Sequence, residues 1–344
     1  MLVGPSLLTP WTLYAAGALR RLGQTVDVVY STDRMLDRLT LHQGKGLARF
    51  PGLGDKLRLW RERWLQQRDQ RIYDTAKGGR PDLILILWGN TLSADLLRRL
   101  KSISRSPVAT WWVDDPFRHS VEPLLPLYDF FFIFDRSYLQ PLRQAGVRRP
   151  RFLPCACDET VYRPMLLNRL ESRRYGSDVS LIGWYYPNRA KVVQALDGFN
   201  VRIWGREWAD FQINQAASDN GRTIVSKECF LKDAIASKIY NGTKIGLNIH
   251  SDQTREGGLN TRSFELLAAG AFELTDAVAG MEELLTPGQE VAVYRSPEEA
   301  RERVRYYLAH PNQRAEIANR GRARVLSEHT FTHRMRALLK EATS

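Results

Sequence analysis

Two successive series of apolar runs, each alternating with amphipathic segments, constrain the fold of this 344-residue chain more than any single motif does. In the first half, strand patterns at Leu2–Val3, Val26–Tyr30, Asp82–Trp88, Val108–Val113 and Asp129–Phe134 alternate with helical patterns at Trp11–Leu22, Lys56–Ala76, Ala94–Ile103 and Ser137–Gln144. A second series places strands at Val179–Ile182, Val201–Trp204, Thr223–Val225, Ile245–Ile249, Phe272–Thr275 and Val291–Tyr294, again with helices between them. Near-continuous apolar strands interleaved with helices belong to parallel sheets covered on both faces. The pattern predicts an α/β chain of two doubly wound, Rossmann-like domains facing across a cleft. Ligands of such sheets bind beyond the carboxyl ends of the strands, so the active site is expected between the domains.

A Pro-bounded extended stretch, Leu153–Pro164, separates the two series and reads as a linker. The expected division is residues 1–157, residues 158–328 and a terminal helical segment, 329–344. Beyond Pro297 the chain reads as helical, with a break near Pro311 and a last amphipathic helix at Thr332–Ala342.

With 43% hydrophobic and 26% charged residues, the composition is that of a globular protein. No apolar run approaches the roughly 20 residues that span a bilayer, and no charged start followed by a long apolar segment marks a signal peptide. The cytoplasm is the default compartment, with association at the inner face of a membrane as its variant. Cys155, Cys157 and Cys229 are odd in number and spaced for neither a disulfide framework nor a zinc knuckle, so they read as reduced structural thiols.

The formal charge of +12 is compatible with nucleic acid, anionic lipid or acidic glycan. Nucleic acid is disfavoured, because Lys and Arg are spread along the chain and no zinc-finger or RNA-recognition signature occurs. The helix Lys56–Ala76 carries Leu57, Trp60, Trp64, Leu65 and Ile72 on one face, with Arg58, Arg61, Arg63, Arg68 and Arg71 around it. It suits either peripheral contact with an anionic membrane or a packed face with a solvated basic side, and packing is the preferred reading.

The segment Thr243–Asp276 reads strand, polar Gly-containing loop, helix, strand. The apolar run Ile245–Ile249 meets the loop Ser251–Asn260, and the helical pattern Ser263–Ala269 follows. A loop of this kind turns backbone N–H groups and the positive end of a helix dipole toward a phosphate or diphosphate. Glu265, in the first helical turn, has two oxygens able to accept ribose or sugar hydroxyls. A nucleotide diphosphate joined to a polyol is the candidate ligand, against the plainer alternative of an ordinary βαβ unit with a solvated glutamate.

The run GLNTRSFELLAAGAFELTD, preceded by KIGLNIH, resembles the donor-binding region of the CgeB-like (spore maturation protein) glycosyltransferases, relatives of the retaining two-Rossmann-domain (GT-B) glycosyltransferases. WWVDDPF at Trp111–Phe117, LPCACDETVYRP at Leu153–Pro164 and the tail Tyr306–Met335 extend the resemblance in the expected order. It implies a hexosyl-type enzyme of polysaccharide biosynthesis that uses a nucleotide-sugar donor and a hydroxyl acceptor on a glycan, a lipid-linked glycan or a protein. It further implies retention, an acceptor-side first domain, a nucleotide-sugar-binding second domain and a final helix returning to the first.

Several residues follow as site candidates. Gly183 ends a strand and Arg189, with Lys191, opens the next helix, where enzymes of this architecture hold the donor diphosphate with a basic pair. Arg262, beside the loop residues Gly258, Leu259, Asn260 and Thr261, is a second cation able to fork onto phosphate. Trp204 and Gly205, before Arg206, are candidates for a stacking wall with room for a nucleobase, although a core Trp is the commoner case.

Relatives carry two glutamates eight positions apart. Here the position eight before Glu265 is Gly257, and Glu256 lies nine before it, so Glu256 is either shifted within the loop or replaced by backbone contacts. On the first domain, Asp114, Asp115 and His119 are the catalytic candidates for handling the acceptor hydroxyl, and one aspartate is expected to cap the following turn. His250, ending a strand, joins the donor set, whereas His42, His310, His329 and His333 read as structural or surface residues. No DxD pair stands at a strand end, so neither metal nor cofactor is expected. Two other functions stay open: a sugar-nucleotide binder without turnover, and a nucleic-acid-associated protein.

Overall fold

A computed structural model describes residues 1–6, 10–32, 53–103, 105–208, 223–226 and 231–343. His42, Cys229 and the side chains of Leu57 and Arg58 lie outside what it describes. The chain forms two units, Met1–Leu153 with Phe331–Ser344, and Pro154–Thr330. Among the described residues no helix is long and apolar enough to cross a membrane.

The first unit contains β1 (Leu2–Gly4), α1 (Trp11–Arg21), β2 (Val28–Tyr30), α2 (Leu53–Gly79), β3 (Ile84–Leu87), α3 (Ala94–Ile103), β4 (Val108–Trp112), β5 (Phe130–Ile133), α4 (Leu139–Gln144) and β6 (Pro150–Phe152). Its six strands are all parallel, in the order β2-β1-β3-β4-β5-β6. Every residue of β3, β4 and β5 is buried, which explains their unbroken apolar sequence: helices cover both faces. β6 escapes the apolar pattern because it is an edge strand, where a leading proline and an exposed arginine are tolerated.

Arg68 of α2 corrects the expectation of an arginine on a solvated face. It is 1% exposed and donates to the Ser31 and Thr91 carbonyls at 3.1 and 2.8 Å while pairing with Asp69 at 2.6 Å. Ile72 and Ala76 are buried beside it in sequence, whereas Leu59 and Trp60 nearer the helix start are exposed.

The second unit contains α5 (Arg169–Tyr175), β7 (Ser177–Ile182), α6 (Pro187–Ala195), β8 (Val201–Trp204), β9 (Thr223–Ser226), α7 (Asp233–Gly242), β10 (Thr243–Asn248), α8 (Thr261–Ala268), β11 (Glu273–Asp276), β12 (Ala292–Tyr294), α9 (Pro297–Ala309) and α10 (Pro311–Glu328). Its parallel sheet runs β12-β11-β10-β7-β8-β9. Val179, Leu181, Val201, Ile203, Leu247 and Leu274 anchor its core. Gly246 lets α8 approach β10 closely, since a Cβ there would stand 2.3 Å from Leu266 Cδ2.

α11 (Phe331–Ala342) completes the first unit by packing on α1. The Phe331 ring meets Trp11, Tyr14 and Trp111, and Arg21 Nε donates to Thr332 Oγ1 at 3.2 Å. Just before it, Thr330 forms a bridge with Cys157, and the Cys157 amide donates to the His329 carbonyl at 3.2 Å. Those contacts keep residues 154–158 and 329–330 in the second unit, a few residues from the divisions at 157 and 328 expected from sequence.

Candidate functional site

In the second sheet β7 and β10 are neighbours, yet β7 leads to β8 on one side and β10 to β11 on the other. This is a topological switch point, where connecting segments diverge and leave a crevice at the strand ends. The segments leaving these two strands carry Gly183 and His250 with the 251–260 loop.

The loop is shaped by its own backbone. Gly257 takes φ +68°, a left-handed value that suits glycine, and its amide donates to the Ala279 carbonyl at 2.7 Å. Thr254 Oγ1 donates to the Gly258 carbonyl at 3.0 Å, and Leu259 is fully buried, so only its main chain can meet a ligand. Asn260 is the N-cap of α8 but makes no side-chain cap. Its amide nitrogen donates instead to Asn248 Oδ1 at 3.0 Å.

Asn248 lies at the centre of this polar cluster, donating to Asn260 Oδ1, Ser263 Oγ and Glu273 Oε1 at 3.2, 2.9 and 2.8 Å. Burial raises the Glu273 carboxyl pKa, and hydrogen bonds from Asn248 and Ser263 oppose that rise. Sequence reasoning missed Asn248, Ser263 and Glu273. The signal was present: Asn248 and Glu273 are polar residues inside apolar strand runs, two register steps apart on paired strands.

Two guanidinium groups converge beside this helix start. A Cβ on Gly183 would stand 2.8 Å from Arg189 Nη1 and 3.6 Å from Arg262 Nη2. Arg189, 3% exposed, donates from Nε and Nη2 to the Ile249 carbonyl at 3.1 and 2.8 Å and from Nη1 to the Trp184 carbonyl at 2.9 Å. Burial, then the charge of Arg262, lower its pKa to about 9, leaving it cationic at neutral pH. Among the described residues neither arginine has a carboxylate partner, and Arg262 Nε is buried without a hydrogen bond. Lys191 stands exposed further along α6.

Glu265 lies next to this pair in α8. Burial and the charge of Asp233 raise its pKa to about 8, with Arg262 pulling the other way. Tyr240 Oη donates to Glu265 Oε2 at 3.4 Å. The carboxyl group is therefore mostly protonated at neutral pH, able to donate as well as accept. Thr261 precedes Arg262 at the helix start and is half-buried.

His250 is 3% exposed. Its Nδ1 lies 2.8 Å from Asp276 Oδ1, which also accepts the His250 amide at 3.0 Å. Burial opposes the Asp276 charge, but hydrogen bonding and charge from His250 prevail and hold its pKa below the ordinary value. His250 Nε2 and Tyr294 Oη are buried without partners among the described residues.

Trp204 corrects the sequence expectation of a stacking wall. It is 4% exposed and packs with Tyr175 and Ile239, so no face is open to a base. Gly205 is needed for a different reason: a Cβ there would meet the Gly183 carbonyl oxygen. Among the described residues, Trp184 and Tyr186, which follow β7, are exposed, with the Arg206 guanidinium 5.1 Å from the Trp184 ring. Glu256 is exposed on the loop.

In the first unit, β4 ends at Trp112 and the next carboxylates diverge, as alternation along an extended chain requires. Asp115 caps the 3₁₀ turn Pro116–Arg118, accepting the Phe117 amide at 2.9 Å, and meets Arg118 Nε at 3.4 Å. Asp114 accepts the Asp115 amide at 2.8 Å, and its other oxygen lies 2.9 Å from His119 Nε2. Asp115 is thus structural, and Asp114 with His119 forms a half-buried pair. Trp88 packs edge-on against His119 and holds φ +51°, a strained conformation for a bulky residue that no local pattern signalled. Cys155 and Cys157 are buried and, among the described residues, outside any disulfide.

Residues 189–340 match the "Glycosyl transferase-like" family model. Spore protein CgeB of Bacillus subtilis is 24% identical over 264 residues, spanning 73% of this chain and 80% of that protein. Among solved structures, Anabaena HepE in complex with UDP and glucose superposes with a TM-score of 0.65 at 12% identity, covering 99% of this chain and 98% of that one. Sucrose-phosphate synthase from Thermosynechococcus elongatus gives 0.63 at 12% identity over 99% and 98% of the two chains. The chain is thus similar in sequence to spore protein CgeB and, over residues 189–340, to the glycosyl transferase-like family, and its fold is that of the GT-B glycosyltransferase structures it matches.

Proposed function

We propose that this chain is a nucleotide-sugar-dependent glycosyltransferase that moves a hexosyl group to a hydroxyl acceptor, with retention and without metal. The observation that carries the proposal is the convergence of Arg189 and Arg262 on Gly183, without a carboxylate partner, at the start of a helix whose side-chain cap is turned away. Two unneutralised cations beside helix amides suit the charge that develops on a departing diphosphate. Glu265 is assigned to a ribose diol, and its raised pKa favours a carboxyl that both donates and accepts. UDP in the HepE complex and UDP-2-fluoroglucose in an Escherichia coli fold neighbour, at 12% identity, support a uridine diphosphate sugar as the donor.

On the first unit, Asp114 fixes the His119 ring, and this pair positions the acceptor hydroxyl on a glycan, lipid-linked glycan or protein. Among the described residues no group of three or more His, Cys, Asp or Glu is arranged to hold a metal ion. The proposed mechanism assigns charge neutralisation to the arginines.

The exposed position of Glu256, and Gly257 where relatives carry a glutamate, favour a second reading: a sugar-nucleotide binder without turnover. Thermal-shift screening against UDP-, GDP-, ADP- and TDP-sugars, followed by measurement of nucleotide release with and without acceptors, separates the two. Stabilisation by one base together with acceptor-dependent release supports the enzyme. Stabilisation without any release supports the binder, and no stabilisation by any nucleotide rejects both.

A further inference from the structure

A second cationic site lies on the first unit, at the amino-terminal ends of β4, β5 and β6, the opposite end of the sheet from Asp114 and His119. There Lys101, Arg105, Pro107, Phe130, Arg148 and Arg149 line a cavity of about 450 Å³, within the range of small-ligand pockets. Its one carboxylate, Asp129, is fully engaged: Oδ1 pairs with Lys101 Nζ at 2.6 Å and Oδ2 accepts the Val108 amide at 2.9 Å. Arg105, Arg148 and Arg149 are exposed, and among the described residues none forms an ion pair. Arg149 lies over the Phe130 ring at 5.0 Å, so one guanidinium rests on the face of an apolar lining residue.

Some arginines of this unit are neutralised by a carboxylate. Arg68 has Asp69, Arg118 has Asp115 and Arg151 has Glu341. Three guanidinium groups without counter-charge around a concave surface repel one another, and an anion entering the cavity relieves that repulsion while accepting forked hydrogen bonds. The high net charge of the chain thereby gains a specific location.

We propose that this cavity binds a phosphate-bearing anion, presented by a small soluble molecule or by a lipid headgroup. The proposal is independent of the donor site. Nothing in it requires UDP recognition.

The test compares the full chain with Arg148→Glu/Arg149→Glu and with the milder Arg148→Gln/Arg149→Gln. Inorganic pyrophosphate is titrated calorimetrically at low salt in the presence of saturating UDP, so that the donor site does not contribute. In parallel, flotation is measured with phosphatidylcholine vesicles containing or lacking phosphatidylglycerol. Pyrophosphate binding that falls about tenfold or more in the Glu pair, less in the Gln pair, and weakens with added salt supports the soluble source. Phosphatidylglycerol-dependent flotation lost in the same variants supports the headgroup. Absence of both responses, or responses unchanged by either variant, overturns the proposal. The substituted side chains are exposed, and a thermal melt of each variant checks that the fold is retained.

Discussion

Arg189 and Arg262 approach each other across the bare backbone of Gly183, one fixed by two main-chain carbonyls and the other with its Nε unpartnered. Arg189 cannot retreat without losing its bonds to Ile249 and Trp184. Gly183→Ala therefore displaces a guanidinium that is already held by three hydrogen bonds to two carbonyls. UDP-sugar affinity is expected to fall about tenfold, equivalent to about 1.4 kcal/mol, with a smaller change in unfolding free energy. Calorimetric titration and denaturant unfolding on the same variant measure both.

Asn248→Ala tests the polar cluster beneath the helix start. The substitution leaves Glu273, Ser263 and Asn260 without their shared donor in a buried place. Unsatisfied buried groups cost about 1–3 kcal/mol each, and partial rearrangement limits the sum, so a loss of about 2–4 kcal/mol is expected. Urea unfolding reads it directly. Asn260 freed from Asn248 is expected to swing toward the helix amides and compete with the donor phosphate, lowering affinity as well.

The pH dependence of stability carries a signature of Glu265. Its pKa is about 8 in the fold against an ordinary value of 4.5. Between those values the folded chain holds a proton that the unfolded chain has released. Its stabilising contribution is therefore complete below pH 4.5 and is lost as pH rises through about 8. Glu265→Gln, which stays neutral throughout, should flatten that decline relative to the wild-type chain. Glu273 is raised in the same direction, so the difference between the two chains, not the wild-type curve alone, is the measurement. Parallel curves would show that Glu265 is ionised in the folded protein.

Asp114→Asn and His119→Ala address the first unit. If the pair positions the acceptor, each variant should lower the transfer rate by about a hundredfold, the lower range for a positioned proton-transfer group. UDP-sugar affinity should be unchanged. Asp115→Ala should instead destabilise the fold by about 1 kcal/mol through loss of its cap. Steady-state rates at saturating donor, with a thermal melt of each variant, distinguish these outcomes.

The sheets were legible because burial on both faces leaves no room for polar alternation: ILIL at β3 and FFFI at β5 announce themselves. β6 was not, because an edge strand is free of that constraint. Arg68 was hidden for a different reason. A buried arginine is tolerable when distant groups satisfy it, and the Ser31 and Thr91 carbonyls are separated from it in sequence by 37 and 23 residues. The 251–260 loop and Arg262 were readable as a local strand–loop–helix unit. Trp204 was misplaced because a residue at a strand end turns inward or outward according to packing from elsewhere, here Tyr175 and Ile239. The Asp114–His119 contact was not visible: the sequence named Asp114, Asp115 and His119 together as candidates, and the capping role of Asp115 decided which aspartate was left to meet the ring.

Calorimetric titration of UDP into the wild-type chain and into Arg262→Ala tests the role of the arginine pair most directly. Wild-type binding is predicted, with a loss of about tenfold or more in the variant, since a charge-assisted bond to phosphate is worth about 1.5–3 kcal/mol. The apo fold of the variant should be no less stable, because a like-charge neighbour of Arg189 has been removed. UDP that fails to bind the wild-type chain, or binds Arg262→Ala equally well, would contradict the assignment of this arginine pair to the donor diphosphate.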